Sequence, residues 1–141
     1  MADNNAAQIA ANIQKAAEVD IPIKLARAME QACLGVERAA KANIKSNPTG
    51  TLRSSITHKV LGGGSWDQEG VVGATAEYAP YVECGTGVHA TMGSRAKQIP
   101  WRYCDAAGNW HTTEGQVAKP FLKPARDENI SAIMKCFEGL I

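Results

Sequence analysis

The chain has 141 residues and carries 15 lysines and arginines against 14 aspartates and glutamates, a formal net charge of +1. This balance gives no overall field for gripping nucleic acid or an anionic membrane, so any nucleic-acid contact must be local. The length fits one compact domain, and no apolar run approaches a membrane span. Four cysteines stand far apart without a Cys-x-x-Cys pair and no signal peptide is evident, so we expect reduced thiols and a cytoplasmic protein.

The first predicted element is an Ala-rich segment, residues 1–20. Ile9 and Ile13 are followed at helical spacing by Ala16 or Ala17, but amide side chains interrupt the stretch. We therefore expect either a helix or a mobile arm, separate from a single domain over residues 21–141.

A long helix is predicted from Ile21. Asp20 can cap its N terminus with a carboxylate, and Pro22 falls in the first turn, where no backbone donor is needed. Apolar residues then recur every three or four positions over about seven turns, which predicts one buried stripe: Leu25, Met29, Ala32, Val36, Ala40 and Ile44. Asn47 and Pro48 end the helix.

The first hairpin follows a short helical turn at Thr51–Ser55, which begins with a capping hydroxyl. The alternation of Ile56, His58 and Val60 with polar residues predicts a half-buried strand. A glycine-rich turn then leads to a second short strand at residues 70–75.

A long loop and a second hairpin come next. Residues 84–98 hold three glycines without periodicity, and a loop of that length in a compact domain is usually functional or disordered. Trp101–Cys104 and Trp110–Thr113 are strand-like and flank the turn residues 105–109.

A final helix is predicted at the C-terminal end. Pro120 and Pro124 bracket Phe121 and Leu122 and fix an extended approach to it. Its apolar face would be Ile130, Ile133, Met134, Phe137 and Ile141. The predicted fold is therefore α+β: a small antiparallel sheet of two hairpins, with the long N-terminal helix and the C-terminal helix packed on one face.

Candidate reactive groups are few and scattered. The turn at residues 85–87 lacks the further glycine and the Lys-Ser/Thr pair of a phosphate-binding loop. Side chains able to ligate a metal show no recognised zinc spacing: Glu83, Cys84, His89, Cys104 and His111. We predict no catalytic residue, no metal and no cofactor.

Two other classes of function stay open. A nuclease-like or toxin-like enzyme would use His58, His89 and His111 with acidic partners. A single-stranded nucleic-acid platform would use the aromatics Tyr78, Tyr81, Trp101, Tyr103 and Trp110. Only Arg95, Lys97 and Arg102 accompany these aromatics, so a core or a protein interface is favoured.

Three phrases in chain order carry a family resemblance: TGTLRSSI at residues 49–56, EYAPYVECGTG at 77–87 and AKPFLKPA at 118–125. Together they resemble the minor tail component family of long-tailed double-stranded-DNA bacteriophages and prophages, the small head-tail joining or tail-completion proteins. The resemblance spans residues 21–141. Cys84 stands where the family pattern usually has an aromatic residue.

Within these phrases Gly50 would allow a tight exit from the long helix, and Leu52 would pin the following turn to the core. Glu83 would accept hydrogen bonds from backbone donors of the turn at residues 85–87. The residues expected to have structural or interface roles are Gly50, Leu52, Arg53, Tyr78, Tyr81, Glu83, Gly85, Thr86, Pro120, Phe121, Leu122 and Pro124.

The resemblance implies a structural subunit, not an enzyme, that closes a ring between the portal side of the capsid and the tail tube. Such rings are commonly six-fold or twelve-fold; a hexamer is expected here, with a monomeric free subunit. Its partners would be further copies, a head-side connector or portal adaptor, and a tail terminator or tail-tube protein. DNA would be only passing cargo, and no membrane is involved.

The implied location is the host cytoplasm during assembly and then the virion neck or tail. The alternative within the same class is a tail terminator or another minor tail protein at a different level of the tail. We also predict that residues 85–99 form an assembly loop, mobile in the free subunit and ordered against a neighbour. Its candidate contact residues are Val88, His89, Met92, Arg95 and Lys97.

Overall fold

The computed structural model describes residues 2–45, 50–94 and 96–140. In chain order the elements are α1 (Ala2–Lys15), a π-helical turn (Ala16–Asp20), α2 (Ile21–Asn43), α3 (Thr51–Ser55), β1 (Ile56–Leu61), β2 (Glu69–Ala74), α4 (Ala79–Cys84), a 3-10 turn (Gly87–His89), β3 (Trp101–Cys104), β4 (Trp110–Thr113), α5 (Leu122–Asp127) and α6 (Ile130–Cys136). The predicted α+β class is confirmed.

Both predicted hairpins are present and antiparallel. In the first, Ile56 of β1 lies opposite Ala74 of β2; in the second, Trp101 of β3 lies opposite Thr113 of β4. Within the described residues the hairpins form two separate two-stranded sheets. A lone hairpin is marginally stable in water, so each needs a packing partner. The first hairpin finds one in α2, which packs against both of its strands.

The apolar stripe predicted for α2 is confirmed, since all six of its residues are buried or half-buried. As predicted, α2 begins at Ile21 with Pro22 in its first turn, but the prediction that Asp20 caps it is wrong. Asp20 has helical angles, φ −70° and ψ −44°, and makes no capping hydrogen bond, so the helix runs on unbroken from α1. Pro22 has no N–H to donate and its ring crowds the preceding turn. The π turn accommodates this, because the Ile21 N–H donates to the carbonyl of Ala16, five residues back.

The long helix ends at Asn43, earlier than the sequence predicted. Ile44 is extended, with φ −79° and ψ 97°, and the predicted stop residues Asn47 and Pro48 lie outside the described residues. The Arg53 guanidinium donates to the Ile44 carbonyl at 2.6 Å. This bond satisfies an acceptor just beyond the helix end, a group that otherwise lacks an intrahelical partner.

The C-terminal prediction needs two corrections. Pro124 lies inside α5 and not in an extended approach, because a first helical turn tolerates a residue without an N–H. The predicted final helix is also shorter than expected: α6 ends at Cys136, and a turn at residues 128–129 separates it from α5. Of the predicted apolar face, Ile133 and Phe137 are half-buried, whereas Ile130 and Met134 are exposed; Ile141 lies outside the described residues.

The core lies where three distant parts of the chain meet α2. Its buried residues are Ala40, Ile44, Leu52, Ile56, Ala79, Phe121 and Ala125. Phe121 is the largest fully buried side chain, with 1% exposure. Each of the three sequence phrases supplies at least one of these residues, so intramolecular packing explains much of each phrase.

We predict that Phe121→Ala lowers the free energy of unfolding by about 3–5 kcal/mol, the usual result of removing a fully buried aromatic side chain. Phe137, which is only half-buried, provides the matched control. Urea unfolding followed by circular dichroism measures both variants. Equal losses for the two would show that the core is not centred on Phe121.

Candidate functional site

A single carboxylate joins the second phrase to the third. Glu83, in α4, accepts hydrogen bonds from the backbone N–H groups of Phe121 (2.7 Å), Leu122 (3.0 Å) and Lys123 (2.9 Å). The prediction that Glu83 caps the turn at residues 85–87 is therefore wrong. The first N–H groups of a helix have no intrahelical acceptor, and a carboxylate there also interacts favourably with the helix dipole. Glu83 thus caps α5 from a different element.

Two further contacts complete this junction. The Asn43 side-chain amide donates to the carbonyl of Phe121 at 3.1 Å, tying the end of α2 to the start of α5. Gly50 has φ 70°, a left-handed conformation that side chains other than glycine rarely adopt, and it precedes the turn that carries Arg53. Gly50, Arg53 and Glu83 therefore secure helix ends.

The predicted assembly loop divides into two parts, and the first is anchored. Thr86 N donates to the Gln116 carbonyl (2.9 Å), and Gln116 N donates to the Thr86 hydroxyl (2.8 Å). Val88 N donates to the Glu114 carbonyl at 2.9 Å. A Cβ at Gly87 would lie 1.8 Å from that same carbonyl oxygen, so the close approach requires glycine. Residues 86–88 are therefore paired with residues 114–116, a contact that the sequence alone did not indicate, and residues 89–91 are held by backbone bonds to residues 84–87.

The second part, residues 92–99, is open. Its described residues show one hydrogen bond from a backbone group, Ala96 N to the Ser94 hydroxyl at 3.1 Å; Arg95 lies outside the described residues. Met92 is 82% exposed, and its sulfur lies 3.6 Å from Cys84 Sγ. An open cavity of about 780 Å³ separates this segment from α4, with Tyr81, Met92, Lys97 and Trp101 in its lining. Few backbone hydrogen bonds and high exposure are typical of segments that rearrange at low free-energy cost.

The second hairpin exposes aromatic side chains on both of its faces. Tyr103 stacks on His111 at 5.2 Å between ring centroids, and the Arg102 guanidinium lies 5.3 Å from the Trp110 ring on the other face. Trp110 is 64% exposed. Tyr, Trp and Arg are enriched at protein interfaces. A two-stranded hairpin this short is marginally stable in water, so it gains stability by packing against another surface. We call residues 92–104 and 110–113 together the projecting face.

The three histidines lie in different surroundings. His58 on β1 contacts two carboxylates of α2: its Nε2 lies 2.7 Å from Glu30 Oε1, and its Nδ1 contacts Glu37. His111 Nε2 lies 2.8 Å from Asp105 Oδ2, and His89 is exposed in the 3-10 turn. Within residues 2–45, 50–94 and 96–140, no group of three or more His, Cys, Asp or Glu side chains is placed to hold a metal ion.

Hydrogen bonds shift the pKa values of His58 and of its partner Glu37. The hydrogen bonds that His58 makes with Glu30 and Glu37 raise its pKa above the ordinary value, and the bond with Glu30 has the larger effect. The pKa of Glu37 is lowered by its hydrogen bonds with Lys41 and His58, and the bond with Lys41 has the larger effect. These contacts fasten β1 to α2 through charge, in addition to the apolar packing below them.

Glu83→Ala should lower the free energy of unfolding by about 1–3 kcal/mol, because three backbone donors lose a charged acceptor. Glu77 is the matched control: it begins the same phrase but is exposed, so Glu77→Ala should change stability by less than about 0.5 kcal/mol. Thermal and urea unfolding compare the two. If Glu83→Ala were as stable as Glu77→Ala, Glu83 would not be the anchor of α5.

The raised pKa of His58 predicts a pH-dependent stability. The folded state holds this proton more tightly, so the stabilisation is complete below the ordinary pKa of 6.5 and is lost as pH rises through the higher folded pKa. Relative to His58→Gln, the wild-type advantage should therefore be full below about pH 6.5 and shrink as the pH is raised above it. His89→Gln, at an exposed histidine, should keep the wild-type slope; an unchanged slope in His58→Gln would contradict the assignment.

The family comparison covers more than half of the chain. Residues 7–85 match the family described as "Bacteriophage HK97-gp10, putative tail-component". The match begins inside α1, further towards the N terminus than the three phrases, and it ends at Gly85, before the second hairpin and the third phrase. No curated protein and no solved structure matches the chain significantly.

A tail component takes its place in the virion tail by binding other virion proteins, which fits a chain whose conspicuous uncovered groups are aromatic and apolar. None of the described helices combines the length and hydropathy needed to cross a bilayer. The family match and the three phrases lead to the same identification: this chain belongs to the HK97-gp10-like family and is a structural component of a bacteriophage tail.

Proposed function

We propose that the protein is a tail-completion subunit that joins head to tail as a ring of identical copies in the virion neck. The observation that supports this best is the projecting face, which the chain's own core leaves uncovered. Tyr103, Trp110 and Met92 are all exposed there, and side chains of these types bury well at protein interfaces.

The segment 92–99 is the part of the projecting face that we propose to order on assembly. Residues 85–91 are held by backbone hydrogen bonds, so they provide a fixed base for it. The segment would bind either a neighbouring copy or the next ring, with Met92 as an apolar contact and Lys97 as a polar one. Ordering a short segment on binding costs conformational entropy, which the burial of aromatic area can offset.

A ring follows when each copy binds the next through two different surfaces and the rotation closes. We propose six copies, with a head-side connector or portal adaptor on one side and a tail terminator or tail-tube protein on the other. The near-neutral charge suits a channel through which DNA passes without being held. Subunits would assemble in the host cytoplasm before they enter the virion.

The test is a nonsense mutation in the gene, with particles viewed by electron microscopy. We expect DNA-filled heads and separate tails of normal length, because both would form but would not join. Tails of uncontrolled length would instead identify a terminator, since a tube that is not capped keeps growing. Joined, infectious particles would overturn the proposal.

Complementation then tests the projecting face. Met92→Asp should reduce joined particles roughly tenfold or more, because a carboxylate would be buried without a partner at the interface. Met134→Asp, a charge introduced at the exposed methionine of α6, is the matched control and should restore joining. Both purified chains should unfold at the wild-type temperature. Equal complementation by the two variants would remove segment 92–99 from the interface.

A further inference from the structure

We infer that α1 is a docking element that inserts into an apolar groove on a second copy of this chain. The inference rests on the proposed ring and names the two surfaces that would join neighbouring copies. The groove lies between α2, β2, α4 and α5, and its lining shares Met92 with the projecting face.

The first observation is that α1 has no packing partner along most of its length. Residues 4–14 are all exposed, and Ile9 (54%) and Ile13 (65%) lie one turn apart on the same face. The contact with the hairpin lies beyond the end of α1, in the π turn, where the Trp66 indole N–H donates to the Ala17 carbonyl at 2.9 Å. An isolated helix of 14 residues is marginal in water, so α1 would gain stability by burying this face.

The second observation is a groove of about 1020 Å³ whose lining is mainly apolar. Its α2 side presents Met29, Cys33 and Val36, and Cys84 and Met92 line the α4 side. Thioether and thiol side chains are polarisable and adaptable, and grooves rich in methionine accept helices. On the β2 side Gly70 lies so close to α2 that a Cβ there would be 2.5 Å from Cys33 Sγ, which fixes the depth of the groove.

The third observation is that α1 cannot reach the groove of its own chain. It continues through the π turn into α2 as one helix. Ile13 and Met29 are therefore separated by about 24 Å along the axis, at 1.5 Å per residue. A helix cannot fold back along itself, so the groove that α1 can fill belongs to another copy.

Charge also fits this pairing. Residues 4–14 contain no charged side chain, so the inserted helix itself brings no charge to desolvate, and the charged residues in the groove lining, Glu69, Glu83, Lys123 and Arg126, include both signs. Each copy would then offer one helix and one groove, which are different surfaces. Such a heterologous contact propagates from copy to copy and closes into a ring when the rotation allows it.

The first test is a disulfide cross-link in purified particles, where the subunits are assembled. Ile13→Cys places a thiol on the apolar face of α1, and Cys84, a free cysteine, lies in the groove of the neighbour. Mild oxidation should give covalent oligomers at least fivefold above those from Ala11→Cys, the control on the opposite face. Mass spectrometry should identify the peptide pair, and adding Cys84→Ser should remove it.

Three results would overturn the inference. These are equal cross-linking from Ile13→Cys and Ala11→Cys, no cross-link from either, or Ile13→Cys oligomers that persist without Cys84 and Cys33. The last would mean that α1 helices pair with each other. Each of these leaves the neck assignment intact if the nonsense mutant still separates heads from tails. Conversely, joined heads and tails in that mutant would refute the neck assignment even when the cross-link forms.

A second test uses paired charges. Ile9→Asp with Ile13→Asp should reduce incorporation of the chain into particles at least tenfold. Ala7→Asp with Ala11→Asp adds the same charge at the same spacing on the opposite face and should be incorporated normally. Because α1 lies outside the core, both double variants should keep the wild-type unfolding temperature. Equal incorporation of the two would contradict the docking of the Ile9 face.

Discussion

The fold depends on a carboxylate that acts over a long stretch of sequence. Glu83 bonds three backbone N–H groups that lie 38 to 40 residues further along the chain. The helix that it caps, α5, has six residues and too few internal hydrogen bonds to be stable alone. The contact therefore positions α5, and with it Phe121, against the end of α2. Together with the Asn43 bond to the Phe121 carbonyl, this contact fixes the place of the largest buried side chain.

The contact between Glu83 and the start of α5 also determines which surfaces stay uncovered. The chain leaves the core after α4 and returns to it at Phe121, so residues 85–119 form a long excursion. Its base is tied by the pairing of Thr86 with Gln116, and its far end carries the second hairpin with both faces exposed. In the proposed assembly, this fixed base would position the aromatic tip for binding, and the short segment 92–99 would adjust to the partner.

Polar side chains in this protein mainly bind backbone groups. Arg53, Asn43 and Glu83 satisfy donors and acceptors at helix ends, and Asp105 accepts from Ala107 N and Asn109 N to form the turn of the second hairpin. His58 is held between two carboxylates. Two of the three histidines, His58 and His111, thus have carboxylate partners that link neighbouring parts of the fold.

Local patterns were enough to predict most of the elements, though not the short helices α4 and α5. The stripe of α2, the strands Trp101–Cys104 and Trp110–Thr113 and the α+β class follow from periodicity and turn residues, which act over a few positions. The tail family was identified from three short phrases for the same reason. Each phrase has a fixed local geometry, and the family match covers the first of them in full and most of the second.

Only the tertiary structure decided how these elements use one another. The acceptor role of Glu83, the division of the loop at residue 92 and the unbroken passage from α1 into α2 all differ from what the sequence predicted or left undecided. The first two depend on residues about 30 to 40 positions apart, and the third on how Pro22 is accommodated by a π turn. The sequence determined which secondary structure most segments form, because that depends on the free energy of interactions between near neighbours in the chain. The tertiary structure decided which groups meet, because that depends on the packing of the whole chain.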